Sequence, residues 1–200
     1  MKNIITIGRQ FGSGGLRIAK EIGSRLGIPV YDSELILKAA QDSGFSAELF
    51  IKNDEKKESF FSSVFGLGSE NCTSENGLFH IQCDTIQRIA EQGPAIIVGR
   101  CADYVLRERN DVLSVFITAP LEARTDRVME RLCLDYDKAQ EKIGKMDRRR
   151  EEYYNYYTFG NWGQASTYDL CIDSSILGIK GTAEFIISLI ERTTAGNVQE

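Results

Sequence analysis

The hydrophobic residues of the chain fall into short apolar runs separated by longer amphipathic segments. Residues 4–7, 95–98, 112–117 and 170–172 are almost entirely apolar, which is typical of strands buried on both faces of a parallel sheet. Val30 and Tyr31, just after Pro29, predict one more short strand. Apolar residues recur at helical spacing over residues 16–26, 34–41, 78–91, 120–132, 137–157 and 181–192. Alternating strands and helices predict an α/β fold, with three α/β/α layers around a five-stranded parallel sheet.

The first predicted strand runs into a cluster of four glycines, Gly8, Gly12, Gly14 and Gly15. The order strand, glycine loop, helix is typical of a phosphate-binding loop, because glycine lets successive backbone N–H groups converge on an anion. The cluster departs from the standard G-x-x-x-x-G-K-[ST] pattern, since Gly15 stands where the lysine belongs and Leu16 or Arg17 where the hydroxyl belongs. The alternative interpretation is a turn that only lets strand and helix pack closely.

Polar pairs follow three other predicted strands, namely Asp32-Ser33, Gly99-Arg100 and Asp173-Ser174. The carboxyl ends of parallel strands lie at one edge of the sheet, and ligands bind there in open α/β folds. The sequence therefore predicts a binding site formed by the glycine loop and these three pairs.

Composition and charge limit the kinds of ligand and the cellular location that we expect for this protein. The 200 residues include 42% hydrophobic and 26% charged ones, which is typical of one globular domain over residues 1–200. The net charge of −5 argues against nucleic acid polymers and anionic membranes, so local arginines must supply any anion site. No N-terminal apolar stretch is long enough for a signal or a membrane span. The five cysteines lack C-x-x-C pairing, which favours reduced thiols, and we expect a cytoplasmic protein.

The chain resembles the cytidylate-kinase-like family, a divergent branch of the P-loop nucleoside-monophosphate kinases, over nearly its whole length. The resemblance rests on residues 4–7 and 12–15, Tyr31-Asp32-Ser33, Val98-Gly99-Arg100, Asp126-Arg127 with Arg131, Asp147 with Arg150, and Ile172-Asp173-Ser174. It implies a P-loop kinase fold with an acceptor-side helical insertion at about residues 42–76 and a helical lid at about residues 133–162. It also implies ATP as phosphoryl donor and Mg²⁺ as its companion ion.

For the acceptor nucleotide, the resemblance implies a site formed by Asp32, Ser33, Lys38, Arg100, Asp103, Asp147 and Arg149. Lys38 takes the place of an arginine in the family's acceptor helix, and Cys101 takes the place of an acid after Gly99-Arg100, so Asp103 is expected to compensate. Asp32 would orient the acceptor or a Mg²⁺-bound water; alternatively, it only caps the helix that follows.

For the donor nucleotide, the predicted site comprises Gly8, Gly12, Ser13, Gly14, Gly15, Arg127 and Asp173. Ser13 is the loop hydroxyl that could reach Mg²⁺. In similar kinases, the arginine matching Arg127 stacks on the donor base and the one matching Arg131 reaches phosphates. The alternative is a solvated helix face on which Asp126 and Glu130 pair with these arginines.

The predicted catalytic residues are Arg9, Arg17, Arg131, Arg150 and Asp32. Arg9 or Arg17 would supply the charge of the missing lysine. Successive residues of a helix point about 100° apart, so at most two of residues 148–150 can face a cleft. The aromatic residues between 153 and 162 would either stack on the acceptor base or pack one helix on its neighbour, and packing is favoured.

The resulting hypothesis is ATP-dependent phosphoryl transfer to a nucleoside monophosphate, with CMP or dCMP favoured. Two alternatives remain open: a nucleotide-binding sensor without turnover, and a kinase of a small non-nucleotide metabolite. The expected partners are nucleotide substrates, and residues 43–77 are compatible with a homodimer contact.

Overall fold

The fold is built on a parallel sheet whose central strand is the first in the chain. The computed structural model describes residues 2–42 and 72–196. The strands are β1 (Ile4–Arg9), β2 (Val30–Tyr31), β3 (Ala95–Val98), β4 (Val112–Thr118) and β5 (Leu170–Asp173), in the order β2-β3-β1-β4-β5. All neighbouring pairs are parallel, and Ile7 lies opposite Val98 on one side and Val115 on the other. The predicted five-stranded parallel sheet is confirmed within the described chain.

Helices cover both faces of the sheet. They are α1 (Gly15–Leu26), α2 (Ser33–Asp42), α3 (Cys72–Gln92), α4 (Ala102–Val105), α5 (Leu121–Leu132), α6 (Tyr136–Thr158) and α7 (Ser174–Gly196), with a 3₁₀ turn at Ala165–Thr167. On one face, Ile5 and Ile7 pack with Ile18 and Ile22 of α1 and with α7. On the other face, Ile4 packs with residues of α2, α3 and α4. Successive side chains of a strand point to opposite faces, so the uninterrupted apolar run of β1 serves both cores.

A third, smaller core joins α5 and α6 beside the sheet. It consists of Val128, Ala139 and Ile143, with Phe11 of the glycine loop packed against them. The Asp135 side chain caps α6 by accepting a hydrogen bond from the Lys138 backbone N–H at 2.9 Å. Helix α6 is therefore held next to the loop between β1 and α1.

Two helices differ from their predicted bounds. Helix α3 begins at Cys72, inside the segment predicted as an insertion, and α7 begins directly after β5 with a kink at Gly178, where φ is 66°. Residues 43–71 lie outside the described residues, so the predicted insertion and homodimer contact remain predictions. Among the described helices, none has the length and apolar character to cross a membrane.

Candidate active site

The glycine loop connects β1 to α1, and two of its glycines adopt backbone angles that other residues rarely take. Gly12 has φ 82° and Gly14 has φ 86°. A Cβ atom on Gly12 would lie 2.9 Å from the carbonyl oxygen of Arg124, and one on Gly14 would overlap the Ile179 side chain. No side chain caps the start of α1 and its first turn contains no acid, within the described chain. The first-turn N–H groups are therefore available to an anion.

Arg9, the last residue of β1, extends its side chain between two glycines. A Cβ on Gly15 would lie 2.7 Å from Arg9 Cβ, and a Cβ on Gly99 would overlap the Arg9 guanidinium. Burial lowers the pKa of Arg9 well below its ordinary value, and the charges of Arg150 and Arg100 lower it further, while Asp32 acts in the opposite direction. The glycine at position 15 thus leaves the space that Arg9 fills.

Arg150 and Arg131 lie on the other side of the loop, from α6 and α5. Arg150 Nη1 donates a hydrogen bond to the Arg9 carbonyl oxygen at 2.9 Å. The guanidinium carbon of Arg131 lies 4.9 Å, and that of Arg150 5.5 Å, from the centre of the Phe11 ring. Burial lowers the pKa of Arg150 to about 10; Asp147 opposes this shift, and Arg131 and Arg100 add to it.

Arg100 completes the group from the end of β3. Gly99, Arg100 and Cys101 have φ of 78°, 56° and 55°, so two non-glycine residues in a row adopt the left-handed conformation. Such a conformation costs about 1 kcal/mol per residue and is concentrated at functional sites. The guanidinium of Arg100 lies 5.4 Å from the Tyr153 ring centre. We call Arg9, Arg100, Arg131 and Arg150 the arginine cluster.

The balance of charge in the arginine cluster favours an anion. Within the described residues, no carboxylate forms an ion pair with Arg9, Arg131 or Arg150. Like charges gathered in a partly buried place repel one another, and a bound polyanion reverses that cost.

Arg127 contacts the backbone of the glycine loop and is not part of the arginine cluster. Its Nη1 donates to the carbonyl oxygen of Ser13 at 3.1 Å and to Ser174 Oγ at 3.0 Å. Ser174 Oγ donates in turn to the Ser13 carbonyl oxygen at 2.6 Å. Arg127 therefore ties the glycine loop to the start of α7. Neither Arg127 nor Arg131 forms an ion pair with Asp126 or Glu130 among the described residues, but Arg131 is exposed, so the alternative of a solvated helix face stays open for it.

The predicted residues after β2 and β5 lie at the same sheet edge. Asp32 Oδ1 accepts hydrogen bonds from the backbone N–H groups of Glu34 and Leu35, both at 3.1 Å, so this carboxylate caps α2. Asp173 Oδ1 accepts from the Ser175 N–H at 2.7 Å. Ser33 is half-buried and Lys38 is exposed. Arg149, next to Arg150 on α6, is half-buried. The acceptor and donor roles of these residues stay predictions.

Three predicted site residues lie elsewhere. Ser13 is fully buried and its hydroxyl donates to the Gln10 carbonyl oxygen at 2.9 Å, so this hydroxyl is bonded within the loop, and its contact with Mg²⁺ stays a prediction. Arg17 is exposed on α1, and its catalytic role stays a prediction. Gly8 lies within β1, where a Cβ would come within 2.7 Å of Phe116 Cδ2, so close packing requires glycine here; its contact with the donor phosphates stays a prediction.

Two predicted acceptor residues are occupied by internal contacts instead. Asp103 accepts a hydrogen bond from the Tyr154 hydroxyl at 2.7 Å, and burial raises the pKa of its carboxyl. Asp147 accepts from the Phe11 N–H at 2.6 Å and pairs with Arg124. Both acids therefore connect α6 to its surroundings. Sequence reasoning missed Arg124, although Arg124, Arg127 and Arg131 follow the i, i+3, i+7 spacing of one helix face.

The aromatic residues of α6 pack against α3. The rings of Phe79 and Tyr157 are stacked with centroids 3.9 Å apart, and Tyr153 lies 4.8 Å from Tyr157. Trp162 packs edge-on against Phe116 of β4. The structure thus agrees with the packing interpretation of this aromatic run.

Comparison with known proteins places this site in a family context. The model of the cytidylate kinase-like family matches residues 4–176. A cytidylate kinase of Methanopyrus kandleri is 27% identical over 182 residues, covering 86% of this chain and 84% of that protein. An uncharacterized protein from Eubacterium ventriosum, with a solved structure, is 30% identical at a TM-score of 0.75, covering 94% of this chain and 98% of that one. Shikimate kinase from Bacteroides thetaiotaomicron matches at a TM-score of 0.54 and 13% identity over 94% of this chain and 98% of its own, a likeness of fold. The predicted P-loop kinase fold is confirmed.

Proposed function

Because the chain belongs to the cytidylate kinase-like family, a family of nucleotide kinases, we propose that it transfers a phosphoryl group from ATP to a nucleoside monophosphate, with CMP or dCMP favoured. The preference for a cytosine nucleotide is supported by the relatives named cytidylate kinase. We propose a cytoplasmic location because the nucleotide substrates would be supplied there.

The arginine cluster is the observation that carries the proposal. Phosphoryl transfer needs little covalent chemistry from the protein, which must position two polyanions and neutralise the charge that builds up between them. Arg9, Arg131 and Arg150 come from β1, α5 and α6, Arg100 comes from the turn after β3, and all four converge beside the glycine loop, where burial and mutual repulsion lower the pKa of Arg9 and of Arg150. A donor and an acceptor phosphate supply the negative charge that this cluster needs.

Arg9 takes over the task of the lysine in standard phosphate loops. The loop from Gly8 to Gly15 contains no lysine, and the Arg9 side chain occupies the space next to Gly15. A guanidinium is always charged and offers paired N–H donors, which suits phosphate oxygens. Of the two arginines that the sequence left as candidates, we propose Arg9, because its side chain packs beside Gly15 and Gly99.

The residues around the glycine loop suit the phosphates of ATP. The first-turn amides of α1 and the arginine cluster together form a lining for phosphates. No group of three His, Cys, Asp or Glu side chains suited to a metal occurs among the described residues. Mg²⁺ would therefore be held by the nucleotide phosphates and water, with Asp32 as the nearby carboxylate, and it would neutralise phosphate charge.

The acceptor would bind between β2, β3 and α6. Asp32 and Ser33 at the start of α2, together with Lys38, would contact it from one side, and Arg100 would contact its phosphate. Arg127 would present its planar group to the donor base while remaining bonded to the loop. Residues 133–162, which include α6, would act as the lid that excludes water from the transferring phosphoryl group.

A screen of acceptors at fixed ATP and Mg²⁺ tests the proposal. We expect ADP release with CMP or dCMP above that with UMP, AMP or shikimate. ADP release with shikimate or another small metabolite alone would favour the metabolite kinase. Shifts in melting temperature with ATP and CMP, without ADP release from any acceptor, would favour the sensor. The control variant is Lys20→Met, which changes an exposed side chain of α1 and should release as much ADP as the wild type in this screen.

A further inference from the structure

Helix α6 and the glycine loop are joined by contacts that lie outside the arginine cluster. Asp147 Oδ1 accepts a hydrogen bond from the Phe11 N–H at 2.6 Å, and Asp147 Oδ2 pairs with Arg124 Nη1. Arg124 Nη1 also donates to the Phe11 carbonyl oxygen at 3.3 Å. Side chains of α5 and α6 thus hold both backbone polar groups of one loop residue. We call Arg124, Asp147 and the Phe11 backbone the loop clasp.

The loop clasp is shielded from water. The side chains of Arg124 and Asp147 are 10% and 18% exposed, so salt and solvent screen their attraction less than on an open surface. The Arg124 Nε is buried and has no hydrogen-bond partner among the described residues. An unmatched buried N–H is unfavourable for stability. That the pair nevertheless occupies this place suggests a task other than stabilising the fold.

The loop clasp sets the position of the arginine cluster. Asp147 and Arg150 are three residues apart on α6, so they lie on the same side of the helix. Asp147 is bonded to Phe11 and Arg150 to the carbonyl oxygen of Arg9, which attaches α6 to the loop at two points. Phe11 is the loop residue whose backbone the loop clasp binds. The guanidinium groups of Arg131 and Arg150 both pack against its ring.

We propose that Arg124 is a positioning residue, which acts through Asp147 to hold the glycine loop against α6 so that Arg9, Arg131 and Arg150 converge on the transferring phosphoryl group. This inference rests on the proposed function. It gives Asp147 a place in the loop clasp instead of in the acceptor site.

Amide hydrogen exchange tests the clasp independently of activity. In Asp147→Ala and Arg124→Met, we expect the Phe11 amide to exchange at least about tenfold faster than in the wild type, because the acceptor is lost in the first variant and its orientation in the second. The slow amides of Ile5 and Ile7 in β1 should not change, which shows that the fold is intact. Glu141→Gln, an exposed acid of α6, is the matched control and should leave the Phe11 amide unchanged. Unchanged Phe11 exchange in both clasp variants overturns the inference.

Steady-state kinetics test the positioning role. A misplacement of about 1 Å costs about 100-fold in rate, so Arg124→Met should lower kcat by 10- to 100-fold and change KM for ATP by less than about threefold. Arg124→Lys, which keeps the charge but not the fork, should lie between. The double variant with Asp147→Ala should resemble either single variant, because both break one unit. Additive losses, or a rise in KM without a fall in kcat, overturn the inference. If the wild type transfers no phosphoryl group, the proposed function fails, and the exchange experiment alone decides the clasp.

Discussion

Replacing Arg9 by methionine is the sharpest test of the arginine cluster. Methionine keeps an unbranched side chain between Gly15 and Gly99 but removes the guanidinium charge and its N–H donors. A hydrogen bond to a charged group contributes about 1.5–3 kcal/mol, and removing one donor aimed at transition-state charge costs about 100- to 1,000-fold in kcat. Since Arg100, Arg131 and Arg150 remain, we expect the lower end, a loss of about 100-fold in kcat/KM.

The same substitution should have the opposite effect on the protein without nucleotide. Burial and the charges of Arg150 and Arg100 lower the pKa of Arg9, which means that the folded chain disfavours the Arg9 charge until an anion binds. Arg9→Met should therefore raise the melting temperature of the free protein and reduce the further rise that ATP produces.

Coupled ADP release and thermal melting with and without ATP measure both effects. Arg9→Lys, which keeps a charge without the planar fork, should lie between the wild type and Arg9→Met. Arg17→Met discriminates between the two arginines that the sequence proposed, and we expect less than a threefold change because Arg17 is exposed. The reasoning is refuted if Arg9→Met keeps full activity, or if Arg17→Met loses as much as Arg9→Met does.

Three other substitutions test parts of the surrounding structure. Gly14→Ala should lower the free energy of unfolding by about 1–3 kcal/mol in urea titrations, because φ is positive and Ile179 fills the space; an unchanged midpoint would contradict this. Asp103→Asn keeps an acceptor for Tyr154 without a buried charge. Burial raises the pKa of Asp103, so ionisation destabilises the fold as pH rises above about 4, and Asn should stabilise at pH 7 but not at pH 3; equal effects at both would contradict the shift. Asp135→Ala removes the cap of α6 and should cost about 1 kcal/mol, whereas Lys138→Ala removes only the exposed Nζ contact with Asp135, keeps the capping N–H and should cost less.

The sheet and most helices could be predicted because each element carries its own local signal. The uninterrupted apolar run of β1 predicts two cores, and Ile4 packs into one of them while Ile5 and Ile7 pack into the other. Asp32 predicts the cap of α2. The short helix α4 was missed because four residues are too few for a periodic pattern. The start of α3 was missed because residues 72–77 are mostly polar.

Site residues were harder to predict because their partners come from distant parts of the chain. Asp147 and Arg150 share one helix face and one sequence motif, and both bind the loop backbone, yet Asp147 pairs with Arg124 whereas Arg150 joins the arginine cluster. Ser13 has the right residue type for a magnesium contact, but the turn at Gln10 takes its hydroxyl inward. No spacing rule distinguishes these outcomes, since each depends on which backbone group lies opposite.

By itself, the sequence determined the α/β order, the parallel sheet and the glycine loop at the end of β1, because apolar periodicity and glycine act locally, and it predicted a ligand site at one edge of the sheet. Only the tertiary structure decided which arginines meet. The Arg9 side chain packs beside the glycine loop because Gly15 and Gly99 leave room for it. Arg17, by contrast, is exposed to solvent on α1. The convergence of charges from β1, β3, α5 and α6 depends on packing between elements up to 141 positions apart, as in the bond from Arg150 to Arg9.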